Sequence, residues 1–234
     1  MIRCAIFDAD GTLIDSMPMW RDITYEYAAS KGIRAPEGLH CTLNRLSIEQ
    51  CAEYYRNLGA SGTVPQIMEE LAAWAYRGYC DRVGPKPHAA EFVRLLHENG
   101  IKTAVATASH ADGVRAALER AGILPYVDFL TTCTEVGKSK EHPDVFLHCA
   151  NSFGASPRES VVFEDSAYAL RTAKNAGFST VAVVDGISVT GDCPEETADG
   201  IRTLSSRCIS DYGELITELC PPEEPFGESL SGIL

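Results

Sequence analysis

Residues 2–16 read Ile2-Arg3-Cys4-Ala5-Ile6-Phe7-Asp8-Ala9-Asp10-Gly11-Thr12-Leu13-Ile14-Asp15-Ser16: a short apolar run that ends on two acids one residue apart, then a glycine. A run of this length, apolar but for Arg3, reads as a strand buried on both faces, as strands are in parallel sheets. Asp and Gly form turns readily, and a turn is the plain explanation of residues 8–11. A turn does not, however, need two carboxylates at the mouth of a buried strand, where their charges repel. A divalent cation that prefers hard oxygen ligands, such as Mg²⁺, would offset that repulsion.

Outward from this stretch the pattern repeats. Apolar runs at 101–106, 161–163 and 180–184 predict further strands, and 128–132 a weaker one. Between them, 88–99, 112–121, 144–152 and 166–176 carry helical periodicity, with Gly100, Gly122, Gly154 and Gly177 placed as C′ residues. Alternating strands and helices predict an α/β fold, a parallel sheet covered by helices on both faces. Ligands of such sheets sit beyond the carboxyl ends of the strands. Residues 16–80 break the alternation: 19–31, 47–58 and 64–79 read as amphipathic helices, with Gly32, Gly38, Gly59 and Gly62 between them. The expected organisation is therefore an α/β core from 1–15 and 81–219, a helical block at 16–80 lying over the active edge, and a loose tail at 220–234.

Composition limits the partners. The chain has 234 residues, 45% of them hydrophobic, which suffices for a full core. Its net charge of −13 repels nucleic acid and anionic lipid, so neither nucleic acid nor membrane is an expected partner. No apolar stretch approaches the ~20 residues needed to span a bilayer. The nine cysteines include no CxxC pair, which predicts reduced thiols and a cytoplasmic location. The expectation is a monomer, and a small anionic metabolite as substrate would need a local positive pocket.

Two more strand ends and one loop carry polar groups. Thr107-Ala108-Ser109 offers hydroxyls for a phosphate oxygen, though such residues often only start the next helix. Lys138 and Lys140, just before Pro143-Asp144, offer positive charge, though loop lysines are usually just solvated. Glu164-Asp165 is a second acid pair more than 150 residues after the first. Asp165 or Ser166 as a helix cap is its plainer reading. Two acid pairs at one sheet edge would still need a cation to hold the pocket together.

These four pieces, in this order, resemble the haloacid dehalogenase superfamily, in its phosphatase and phosphomutase branch. The resemblance covers about residues 2–184 and rests most on 7–16 and on Val162-Phe163-Glu164-Asp165-Ser166. It implies a Rossmann-like parallel sheet core with an inserted α-helical cap domain. It also implies a Mg²⁺-dependent phosphatase of sugar or polyol phosphates. In that scheme Asp8 is the nucleophile and a metal ligand, and Asp10 is the general acid and base whose carbonyl also binds the metal. Thr107 and Lys140 hold the transferred phosphoryl group. Asp165 ligates the metal, and Glu164 assists directly or through water. Lys140 is preferred to Lys138 because the family places a Pro-acid pair three residues beyond its lysine; Glu141 replaces a usual proline, and Ala169 a common glycine.

A phosphomutase resembling β-phosphoglucomutase is the nearest rival. Trp20 stands where such mutases carry a histidine and Ile48 where they carry an arginine, with Arg45 as a substitute. A phosphonate hydrolase would want a cap lysine, and Lys31 is the only one at 16–79. A catalytically inactive binder would not need Asp10. Trp20, Asn44 and Arg45 are the candidate substrate residues of the cap, with Tyr25 and His40 nearby.

Overall fold

The computed structural model describes residues 1–43, 46–184, 201 and 203–219. Asn44, Arg45 and the expected tail at 220–234 lie outside the described residues. Eight strands are described: β1 (Cys4–Phe7), β2 (Ile14–Asp15), β3 (Gly84–Pro85), β4 (Lys102–Thr107), β5 (Phe129–Thr132), β6 (Ser160–Glu164), β7 (Ser179–Val183) and β8 (Arg207–Ile209). Six form one sheet in the order β5-β4-β1-β6-β7-β8, every pairing parallel. All the expected strands are present. The weak candidate at 128–132 is an edge strand, and the other edge, β8, was not foreseen because its three residues include Arg207 and make no apolar run.

Strand alternation sorts the core into two layers. Ala5 and Phe7 face one way with Val105, Val161 and Phe163, against α5 (Ala89–Glu98), α6 (Ala111–Arg120) and the C-terminal helix Gly213–Leu219. Cys4 and Ile6 face the other way with Ala104, Ala106 and Val162, against α8 (Asp144–Ser152), which follows the short α7 (Cys133–Val136), and against α9 (Ala167–Asn175). Phe7 stacks on Phe163 with ring centres 4.5 Å apart, and Phe92 stacks on Tyr212 at 5.2 Å. This aromatic layer lies on the face that carries Phe7, immediately before Asp8.

The helical block comprises α1 (Met17–Ser30), α2 (Leu39–Leu43), α3 (Ile48–Asn57) and α4 (Val64–Asp81). Helix α2 escapes sequence reading because five residues carry too little periodicity. The block has its own apolar cluster, including Tyr27, Leu39, Ala52, Tyr55 and Ile67, while Met19, Ile23, Ala75 and Tyr79 join the cluster under the sheet. Chain leaves the core and returns to it side by side: β2 pairs antiparallel with β3, and the Lys86 ammonium lies 3.2 Å from Asp15. Among the described residues no helix is long and apolar enough to cross a membrane.

Cys4, Cys51, Cys80, Cys133, Cys149 and Cys208 are free thiols. Cys41 is disulfide-bonded, a departure from the expectation of uniformly reduced thiols. Spacing along a chain does not reveal which thiols a fold brings together.

Candidate active site

In the strand order, β1 lies between β4 and β6, where the chain's course across the sheet reverses. Open α/β sheets have their crevice at such a point. The Asp8 N–H donates to the Phe163 carbonyl at 2.9 Å, which carries the β1–β6 ladder one residue past the strand and sets Asp8 beside Glu164. Thr107 ends β4 and is fully buried. Three strand ends thus converge without any loop having to find its place independently.

Asp8, Lys140 and Glu164 are 5%, 3% and 1% exposed, so three ionisable groups are held inside the protein. The Lys140 ammonium donates to Asp8 Oδ1 and, at 2.6 Å, to Glu164 Oε1. Lys138 is exposed, so the structure separates the two candidate lysines that the sequence left close together. The other oxygen of Glu164 accepts from the Ser166 N–H at 2.9 Å and its hydroxyl at 2.8 Å. Glu164 therefore orients Lys140 and anchors the turn into α9. The sequence offers Ser166 only as a cap of that helix; the structure bonds it to Glu164 instead.

Carboxylate oxygens of Asp8, Glu164 and Asp165 lie within 4.8 Å of one another, near enough to share one cation. Gly11 makes room for the cluster. It adopts φ +79°, and a Cβ there would overlap the Asp165 carboxylate. Burial pushes the Asp8 carboxyl up to about 8; Lys140 opposes the rise, and Glu164 and Asp10 add to it. Burial also works against charge on Lys140, but Asp8 and Glu164 together hold its pKa well above the usual lysine value. The pocket has more acids than the one lysine can balance. A hard divalent cation fits this all-oxygen donor set.

Thr107 Oγ1 accepts from the Ser109 N–H at 3.0 Å, which leaves its hydroxyl proton to point at a bound oxygen. Asp10 is half-buried and accepts at 2.7 Å from the hydroxyl of Tyr79 on α4. Sequence reading missed Tyr79. It closes the apolar stripe Ile67, Leu71, Ala75 of α4 and so looks like a core aromatic, while its partner is 69 residues away. Trp20 on α1 is half-buried and meets the Tyr79 ring edge to face at 6.0 Å. Tyr25 and His40 pair with each other, the Tyr25 hydroxyl 3.0 Å from His40 Nδ1.

The chain matches the haloacid dehalogenase-like hydrolase family over residues 2–177, and it belongs to that family. It is 30% identical to fructose-1-phosphate phosphatase YqaB of Escherichia coli K12, over 76% of this chain and 94% of that protein. It is also 30% identical to hexitol phosphatase B of Escherichia coli O157:H7, over 92% and 94% of the two chains. Among solved structures, CbbY from Rhodobacter sphaeroides in complex with phosphate superposes with a TM-score of 0.74, at 22% identity, covering 92% of this chain and 96% of that one. The fold is that of its family: an α/β enzyme with a Rossmann-like parallel sheet.

Proposed function

We propose that this hydrolase cleaves small phosphate monoesters of the sugar or polyol class through an aspartyl phosphate on Asp8. One observation supports the reading above the others: Asp8 is buried at the end of the central strand with the Lys140 ammonium directly on it. The relatives named for fructose 1-phosphate and hexitol phosphates support the substrate class.

In the first step an Asp8 oxygen attacks phosphorus and the bond to the ester oxygen breaks. Asp10 gives its proton to the departing alcohol. Lys140 and the Thr107 hydroxyl hold the phosphoryl oxygens as charge spreads over them. In the second step Asp10 takes a proton from water, which attacks phosphorus and frees Asp8 and phosphate. Asp8, Asp165 and the Asp10 carbonyl would hold Mg²⁺, with Glu164 acting through water because Lys140 and Ser166 engage its two oxygens. When bound, the ion neutralises the acid cluster and draws charge from the phosphoryl oxygens.

We read residues 16–80 as a cap that closes on the substrate, with Trp20 and the candidates Asn44 and Arg45 on it. A phosphonate hydrolase is disfavoured, since Lys31 is bound to Glu70 at 2.6 Å and lies over the Tyr27 ring. The test against a mutase measures phosphate release beside isomer analysis across hexose and polyol phosphates. Phosphate as the product, with no bisphosphate requirement, is expected. Isomer forming much faster than phosphate, accelerated by a trace of bisphosphate, would overturn the reading. Asp8→Asn should abolish turnover in a folded protein, because an amide offers no nucleophilic oxygen.

A further inference from the structure

We infer that Tyr79 is a positioning residue for Asp10, fixing which of its two carboxyl oxygens serves the reacting group. The inference rests on Asp10 being the acid and base proposed above. The Tyr79 hydroxyl is 2.7 Å from Asp10 Oδ1 and donates to it. Among the described residues Oδ2 makes no hydrogen bond. A carboxyl oxygen that accepts from a hydroxyl is not the one that carries the acidic proton, so the proton goes to Oδ2. The tyrosine thereby sorts the oxygens before substrate arrives, and Asp10 spends no time presenting the wrong one.

The ring is held firmly enough for this. Tyr79 is 1% exposed. On one side it fits against Gly113 of α6, where a Cβ would come within 2.5 Å of the ring. On another, the Trp20 ring meets it edge to face. Ser109, which follows the strand end at Thr107, also reaches the hydroxyl. Because Tyr79 lies on α4 and Asp10 follows β1, the geometry of the acid depends on the helical block being seated.

Tyr79→Phe keeps the ring and deletes only the hydroxyl. Two substrates separate the steps. An alkyl phosphate such as a hexitol phosphate needs a proton on its leaving alcohol, whereas p-nitrophenyl phosphate expels a stable anion that needs none. Both need Asp10 as base in the second step. The expected result is a fall of about tenfold or more in kcat with the alkyl ester, within the ~100-fold to 10,000-fold that positioned acid–base groups contribute. With the aryl ester, a first-turnover burst of nitrophenolate near one per active site should precede a slowed steady rate. An unchanged inhibition constant for inorganic phosphate and a near-native melting temperature would show the site intact. Wild-type kinetics with both esters, or an equal loss in both steps with no burst, overturns the inference. Asp10→Asn run in parallel should lose alkyl-ester turnover. If it keeps that turnover, the fault lies with Asp10 as acid and base.

Discussion

The sheet edge and the helical block both bury polar side chains, and they do so for opposite ends. At the sheet edge the ionisable groups of Asp8, Lys140 and Glu164 are buried together, with the acids outnumbering the lysine. In the apolar cluster of the helical block two buried tyrosine hydroxyls each have a partner: Tyr27 donates to Glu70 at 2.6 Å and Tyr55 to the Thr24 carbonyl at 2.8 Å. The second arrangement is complete in itself and stabilises a packed cluster. The first holds an excess of acids that a hard divalent cation would offset, which points to it as the reacting region.

Removing the cation should break the comparison most visibly. Excess chelator is expected to abolish phosphatase activity, and Mg²⁺ to restore it. Saturating Mg²⁺ should also raise the melting temperature, since ligand at about 100 times its Kd stabilises by ~2.7 kcal/mol. Full activity in excess EDTA would remove the contrast altogether. Next in size is Gly11→Ala. Its left-handed backbone costs about 1–2 kcal/mol for a residue with a Cβ, and that Cβ collides with Asp165. Activity should fall further than stability, with weaker Mg²⁺ binding in a titration followed by activity. An alanine variant with native metal dependence would show that Asp165 has slack.

Tyr55→Phe should sharpen the other side. Losing the hydroxyl bond to Thr24 is expected to cost about 1 kcal/mol by denaturant unfolding, with kcat unchanged. A change in kcat would mean the block's interior is tied to the chemistry after all. The smallest effect concerns His88, which lies at φ +56° and sits 2.6 Å from Asp211, before the C-terminal helix. The hydrogen bond to Asp211 raises the His88 pKa above its ordinary 6.5. A raised histidine stabilises fully below its unfolded pKa and loses that contribution as pH climbs through the folded one. His88→Asn, which tolerates the same backbone, should therefore lower the melting temperature mainly below pH 6.5 and converge on wild type as pH rises. A gap independent of pH would show that the charge contributes nothing.

The same contrast governs what could be read from residues alone. Asp8, Asp10, Glu164 and Asp165 follow apolar runs directly, so the strand pattern that foretells the sheet also places them at its edge. Lys140 was harder, because a loop lysine has no local mark of burial. Tyr79 was out of reach. Its apolar stripe explains it fully as packing, and its hydroxyl bond spans 69 residues. Strand β8 and helix α2 were missed for want of length, since three and five residues carry little periodicity. Cys41 shows the same limit for covalent pairing.

The central place of β1 has a consequence for synthesis on the ribosome. Its neighbours in the sheet begin at Lys102 and Ser160, so the first strand emerges long before either side of its ladder exists. At ~5–20 residues per second, the wait for the first neighbour is on the order of ten seconds. During it, an apolar segment ending in Asp8, the proposed nucleophile, has no native strand to pair with. Lys140 follows Asp8 by 132 residues, so the two are joined only after that whole stretch has emerged. Non-local pairing of this kind slows folding, and the strand that ends at Asp8 is exposed to mispairing while it waits.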